Sequence, residues 1–174
     1  ITDAGNAVTE DPTGSSTTII YPGVFNFQTS SETIGEGQNT IVQINRTSGT
    51  FGDVNVTFGI QTGSNAWDYE NDLTFNGITF GPSGGDVTGT ISIHDGDSSG
   101  FFALTASDDV IDEGTESGSF ELFSLDYSLS DSRFFPTAAI GFNHSFSLSI
   151  TDNESGSLRI NNPDGHYFYT ASMP

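Results

Sequence analysis

The sequence contains no cysteine and only three basic residues among its 174 positions. Without cysteine there can be no disulfide, no thiolate nucleophile and no cysteine-based zinc site. The three bases are Arg46, Arg133 and Arg159, and 23 Asp and Glu residues bring the formal net charge to −20. Nucleic acids and anionic membranes are bound through basic surfaces. The composition therefore argues against both as partners.

Long apolar runs and methionine are scarce as well. No apolar stretch approaches the roughly 20 residues of a spanning helix, so we expect no membrane insertion. The single methionine is Met173, so Ile1 either follows a cleavage or begins a piece of a longer chain. We expect export with removal of a leader, and an extracellular or cell-surface location. An exported chain without disulfides needs another source of stability, and bound metal is one candidate.

Strand-forming sequence is abundant. Short alternating segments are separated by Gly, Ser, Asn and Asp clusters, and no window has the apolar stripe of a helix. These segments are 24–27, 40–44, 54–60, 78–80, 90–93, 101–106, 119–125 and 146–150. The 15 Phe and 5 Tyr can fill the space between two packed sheets. We predict an all-β fold, an antiparallel immunoglobulin-like β-sandwich.

The two ends of the chain differ from this rhythm. We predict an irregular N-terminal extension over 1–22, the sandwich over 23–154 and a C-terminal extension over 155–174. Ile19, Ile20 and Tyr21 form an apolar strand that could add to the sheet edge of a neighbouring copy, or pair within its own chain. The opening Ile-Thr-Asp echoes residues 150–152, so a tandem-module origin stays open.

The carboxylates cluster at segment ends. They lie at Glu36, at Asp68, along 108–116 and along 152–154. Loops at one end of a sandwich meet in space, so these groups can converge. Converging carboxylates repel unless a divalent ion neutralises them, and an all-oxygen ligand set selects calcium over zinc or copper. The alternative is solvated loop acids on a salt-adapted surface.

Over residues 23–154 the sequence resembles the Calx-beta family, a calcium-binding sandwich module of sodium–calcium exchangers, integrin subunits and many bacterial surface proteins. The family pattern runs from a strand through a Glu-Gly step, a strand ending in Arg, an Asp-Tyr step, a Thr-Phe strand and an Asp-Asp pair with Glu-x-x-Glu to an Ile-x-Asp-Asn-Asp close. The matching positions are 24–27, Glu36-Gly37, 41–49, Asp68-Tyr69, Thr79-Phe80, 108–122 and 150–154.

The resemblance implies calcium ligation by residues spread along the whole module. The implied ligands are Glu36, Asp68, Asp108, Asp109, Glu113, Glu116, Asp152 and Glu154, with the Ile111 carbonyl as a further oxygen. Two departures affect this set. Glu154 stands in place of the usual last Asp, and extra residues precede Asp108, where we expect an inserted hairpin over 86–100.

Two further candidates come from local sequence. Asp95, Asp97 and Ser99 begin like a calcium loop, but Ala106 stands where an EF-hand loop needs its bidentate Glu, so a plain Asp/Gly turn is favoured. Trp67 directly precedes Asp68 and could be a ligand platform for stacking a sugar, or it could cap the core. The latter interpretation is favoured.

The sequence offers little for catalysis, because its three histidines are isolated and no nucleophile elbow or zinc pair occurs. We therefore expect a non-catalytic, exported, calcium-binding structural module of a cell-surface, matrix or appendage assembly, which associates with itself or with neighbouring modules. The alternative is a calcium-dependent carbohydrate-binding or adhesion domain with glycans as partners. A calcium sensor of the exchanger type is less favoured.

Overall fold

The computed structural model describes residues 6–10, 16–62, 72–76, 78–83, 86–127 and 137–154. All regular structure in these residues is strand, and none of them forms a helix that could cross a membrane. The strands are β1 (Asn6–Glu10), β2 (Ser16–Ile20), β3 (Val24–Phe27), β4 (Ser31–Gly35), β5 (Asn39–Thr47), β6 (Val54–Thr62), β7 (Leu73–Asn76), β8 (Thr79–Ser83), β9 (Asp86–Ile93), β10 (Ser99–Ala106), β11 (Glu116–Tyr127), β12 (Ala139–Ile140) and β13 (Ser145–Thr151).

Two sheets form the sandwich. One has five strands in the order β12-β3-β5-β10-β7, and the other has six in the order β4-β13-β11-β6-β9-β8. Two pairs are parallel, β12 with β3 and β13 with β4, and the other pairs are antiparallel. The predicted all-β sandwich is confirmed.

Alternation of apolar and polar residues along the strands builds the core. In β5 and β10 every second side chain is buried, as the period of two in a strand requires. The rings of Phe58 and Phe102 stack across the two sheets with centroids 4.6 Å apart. Phe120 then packs edge-on against both of these rings. The phenylalanines therefore fill the space between the sheets, as the composition predicts.

The predicted hairpin lies at a different place from its expected bounds. Strands β8 and β9 pair antiparallel, with Ser83 opposite Asp86, so the hairpin runs from Thr79 to Ile93. The expected span of 86–100 is wrong, because the chain leaves the six-stranded sheet after β9 and enters the five-stranded sheet at β10. The turn at 94–98 therefore connects the two layers and does not close a hairpin.

The N-terminal segment also contains more structure than predicted. Strands β1 and β2 pair antiparallel as a separate two-stranded sheet, with Ile19 opposite Ala7 and Ile20 opposite Asn6. The expectation of an irregular segment with one strand missed β1. Because β2 pairs within its own chain here, its addition to a neighbouring copy stays a prediction for its second edge.

Candidate metal centre

One end of the sandwich gathers the acidic loops. The loop after β4, the loop between β10 and β11 and the segment after β13 all lie there. Backbone hydrogen bonds join them, since Glu36 N donates to Thr151 O (3.1 Å) and Gly37 N donates to Ala106 O (3.0 Å). Gly37 has φ +72°, a left-handed conformation that glycine adopts without strain. The turn can therefore fold tightly against the start of the 107–115 loop.

A first cluster consists of Glu36, Asp108 and Glu154. One carboxylate oxygen from each lies within 4.8 Å of the others, which is a spacing that a single cation can bridge. Asn153 donates from Nδ2 to Asp108 Oδ1 at 2.8 Å, which fixes the orientation of that carboxylate. Three sites predicted from distant parts of the sequence are therefore adjacent in the fold.

Two oxygens of this cluster lack a hydrogen-bond donor. Glu36 Oε2 and Glu154 Oε2 are buried and have no partner among the described residues. Burial raises the pKa of Glu36. Burial, with the adjacent carboxyl of Glu36, raises the pKa of Glu154 from 4.5 to about 7. Buried acceptors without donors are costly, and a cation in contact with both oxygens would remove that cost.

Asp152 lies at the junction of two loops. Its Oδ2 accepts from the backbone N–H groups of Glu113 (2.8 Å) and Gly114 (2.9 Å), and its Oδ1 accepts from Glu154 N (2.7 Å). These donors, that of Gly114 first, lower the pKa of Asp152 to about 2. The carboxylate stays ionised and joins the β10–β11 loop to the segment after β13. Its predicted role as a ligand remains a prediction.

A second cluster consists of Asp72, Glu113 and Glu116, which again place one oxygen each within 4.8 Å of the others. Burial and then the negative charge of Asp109 raise the pKa of Glu113. Glu113 and Glu116 belong to the predicted set, whereas Asp72 does not. The sequence does show an acid directly before the strand Leu73–Asn76, but the family pattern identifies Asp68 as the ligand of this region.

Of the remaining predicted ligands, the structure describes Asp109 and Ile111 but not Asp68. Asp109 Oδ1 accepts from Ile111 N at 2.7 Å, which closes a local turn within the β10–β11 loop. The Ile111 side chain is exposed, and its carbonyl belongs to the same loop. Asp68 and Trp67 lie outside the described residues, so their proposed roles as ligand and ligand platform stay predictions.

The loop of Asp95, Asp97 and Ser99 lies at the opposite end of the sandwich. Asp95 Oδ1 accepts from Gly52 N at 2.6 Å, and Asp95 N donates to Asp53 Oδ1 at 2.9 Å. These hydrogen bonds connect the turn after β9 to the loop before β6, as the side chains of a plain Asp/Gly turn would. In the described part of the chain, the groups of acids spaced for a metal lie at the other end.

Comparison with known proteins supports the fold. The crystal structure of the apo form of the Calx CBD1 domain matches with a TM-score of 0.55 and 18% identity, covering 75% of this chain and 96% of that one. The Calx CBD2 domain matches with a TM-score of 0.59 and 14% identity, covering 78% and 90%. The calcium binding domain CBD12 of CALX1.1 matches with a TM-score of 0.53 and 18% identity, covering 74% of this chain and 44% of that chain.

No family model matches the sequence, and no curated protein matches it either. The solved structures do confirm the predicted resemblance to Calx-beta domains at the level of the fold, because CBD1 and CBD2 have the same all-β sandwich.

The raised pKa of Glu154 predicts how the stability of the calcium-free protein depends on pH. The folded state holds a proton that the unfolded state releases, so the free energy of unfolding falls as pH rises from 4.5 to about 7. Thermal melts of calcium-free protein across this interval should therefore show a falling melting temperature. The slope should flatten in Glu154→Gln, and an equal slope in both proteins would contradict the assignment.

Proposed function

We propose that this protein is a calcium-binding β-sandwich module. The observation that carries the proposal is the pair of buried, donor-free oxygens on Glu36 and Glu154, close to the carboxylate of Asp108. Three carboxylates at this spacing repel one another. Burial, and then the adjacent carboxyls of Glu36 and Asp152, raise the pKa of Glu154 to about 7, so the charged form is disfavoured where no cation neutralises it. The fold shared with the calcium binding domain CBD12 of CALX1.1 supports the same conclusion.

The chemistry of the ligands favours calcium among the common ions. Both clusters offer only carboxylate oxygens, which are hard ligands. Magnesium requires a near-ideal octahedron and keeps much of its water, whereas calcium accepts the irregular geometry that several loops provide. Zinc sites use nitrogen or sulfur ligands as well, and the chain has no cysteine.

The role we propose for the ion is structural. The clusters draw ligands from separate loops and from residues before and after strands, so a bound ion would cross-link segments that are distant in sequence. Rigid loops at one end of the sandwich would fix the angle between this module and the neighbouring module of a larger assembly. We propose an exported, non-catalytic module of a cell-surface, matrix or appendage assembly, with neighbouring modules or further copies as partners.

Calorimetric titration with calcium tests the binding. We expect heat from calcium binding, with no comparable response to magnesium at the same concentrations. Because the acids fall into two clusters, Glu36→Gln should abolish binding at the first and Glu113→Gln should weaken binding at the second. Each substitution keeps the size of the side chain and removes one negative charge.

Glu121→Gln is the matched control, because Glu121 lies within β11, where it pairs with Ser145, away from the acidic loops. It should bind calcium like the unmodified protein. If Glu121→Gln and Glu36→Gln reduce binding equally, the response reports bulk negative charge, and the proposed site is wrong. No heat with calcium would contradict the proposal altogether.

A further inference from the structure

The outer face of the five-stranded sheet carries no charged side chain in its described strands, although the protein has a net charge of −20. The outward positions follow from the alternating burial of β3, β5, β7 and β10 and from the pairing of β12 with β3. They are Val24, Asn26, Asn39, Ile41, Gln43, Asn45, Thr47, Thr74, Asn76, Ser99, Phe101, Ala103, Thr105 and Ala139. The outer face of the six-stranded sheet, in contrast, includes Glu121 and Asp126.

The middle of this face is apolar and exposed. Ile41 lies opposite Ala103 and Gln43 lies opposite Phe101 in the pairing of β5 with β10, so Ile41 and Phe101 are diagonal neighbours. Their side chains are 62% and 65% exposed. Exposed apolar side chains are common on protein surfaces, and what distinguishes these two is that they adjoin on a face without charged side chains.

Amides surround the apolar centre. Asn26 and Asn45 lie opposite each other in β3 and β5, Asn76 lies opposite Ala103, and Gln43 Nε2 donates to Asn45 Oδ1 at 2.8 Å. An amide both donates and accepts hydrogen bonds, so a rim of amides can pair with an identical rim. Two of these acceptors are already used, since Asn26 Oδ1 accepts from Asn143 N at 3.0 Å and Asn45 Oδ1 accepts from Gln43, so a second copy would pair with the remaining amide groups.

The centre of this face lies away from the carboxylates at the strand ends. Glu32 of β4 is the acid bound to this sheet, since its carboxylate accepts from Thr40 Oγ1 of β5 at 2.7 Å, and further acids lie in the loops at the two strand ends. β5 with nine residues is about 30 Å long at ~3.3 Å per residue. Phe101, opposite the middle residue Gln43, is thus about 13 Å from either end of β5, beyond the Debye length of about 8 Å at physiological ionic strength, whereas Ile41 is about 7 Å from Asn39. Two copies that approach through this face therefore meet less repulsion around Phe101 than at the strand ends.

We propose that two copies of this chain associate through the outer faces of their five-stranded sheets, with Ile41 and Phe101 at the centre of the contact. An approach through the outer face of the six-stranded sheet would instead bring Glu121 and Asp126 of the two copies together, which a net charge of −20 penalises. The strands of this sheet contain 27 residues, and about 3.3 Å by 4.8 Å for each gives every copy a strand face of roughly 430 Å². The contact of about 860 Å² in total has the size of a weak, transient interface.

This inference is independent of calcium binding and uses a different surface from Ile19 to Tyr21. Sedimentation of the full chain over a range of concentrations should reveal a reversible dimer that tightens as salt is raised, because salt screens the residual repulsion. Phe101→Glu should weaken dimerisation by more than about 100-fold, because it places like charges together in the contact. Phe123→Glu is the matched control, since Phe123 is 51% exposed and lies in β11 of the other sheet.

Single cysteines provide a second test that does not depend on a disruptive charge. Because the chain has no native cysteine, Gln43→Cys should give a disulfide-linked dimer on mild oxidation, whereas Thr57→Cys on β6 should not. A protein that stays monomeric at all concentrations overturns the proposal. So does equal loss of dimer in Phe101→Glu and Phe123→Glu, or binding of a neutral glycan by this face in a monomer.

Discussion

Replacing Arg46 with methionine is expected to lower the free energy of unfolding by about 3 to 4 kcal/mol, although Arg46 is far from the acidic clusters. Arg46 is 2% exposed. Its guanidinium donates to the carbonyl oxygens of Pro22 (2.7 Å), His94 (3.0 Å), Phe51 (2.6 Å) and Gly52 (2.8 Å). One side chain therefore joins the segment before β3, the loop before β6 and the turn after β9.

Methionine would keep most of the apolar packing of the arginine stem but would lose the cation–π contact with Phe25, whose ring centroid is 5.5 Å from Arg46 Cζ. Most of the loss would come from carbonyl groups left without their donors. Urea unfolding monitored by circular dichroism would measure it. Lysine has three donors and no planar fork, so Arg46→Lys should lose part of this stability.

Thr33→Met is the control for the arginine prediction, because Thr33 is exposed on β4 and lies outside this hydrogen-bond network. Its stability should stay within about 0.5 kcal/mol of the unmodified protein. If Arg46→Met is equally neutral, water must replace the guanidinium at these carbonyls, and the network would contribute nothing to stability.

The architecture could be predicted largely from the sequence because strands alternate visibly. Segments such as 101–106 and 146–150 have apolar residues at every second position and lie within β10 and β13. β4, with the sequence Ser-Glu-Thr-Ile-Gly, was not predicted because one buried Ile34 gives no alternation. Its place beside β13 is set by parallel pairing between residues far apart in the sequence. No local pattern contains that information.

The candidate site could likewise be predicted only in part from the sequence. The groups of acids were visible as runs in the sequence, and the fold brings Glu36, Asp108 and Glu154 together. Which acids share a cluster depends on where each loop ends, so Asp72 was missed while Glu113 and Glu116 were included. Arg46 was recognised as the end of a family strand, but its carbonyl partners come from loops whose course the sequence does not specify.

Calcium should raise the melting temperature substantially. An ion that binds the folded state alone stabilises it by about 2.7 kcal/mol at a concentration 100 times its dissociation constant. For a domain of this size each kcal/mol shifts the melting temperature by about 2 to 4 °C, so each occupied cluster should add about 5 to 11 °C. Differential scanning calorimetry in chelator and in excess calcium would measure the shift.

The double variant Glu36→Gln with Glu154→Gln should separate the two effects of the first cluster. Without calcium it should melt at a higher temperature than the unmodified protein, because the cost of burying two carboxylates is removed and the two groups no longer repel each other. With calcium its gain should be smaller, because the first cluster has lost its charged ligands. The second cluster, with Glu113 and Glu116 intact, should still respond. A variant that is less stable in chelator and gains the full calcium shift would show that these carboxylates neither repel nor bind the ion, and the acids of this end would then be surface charge.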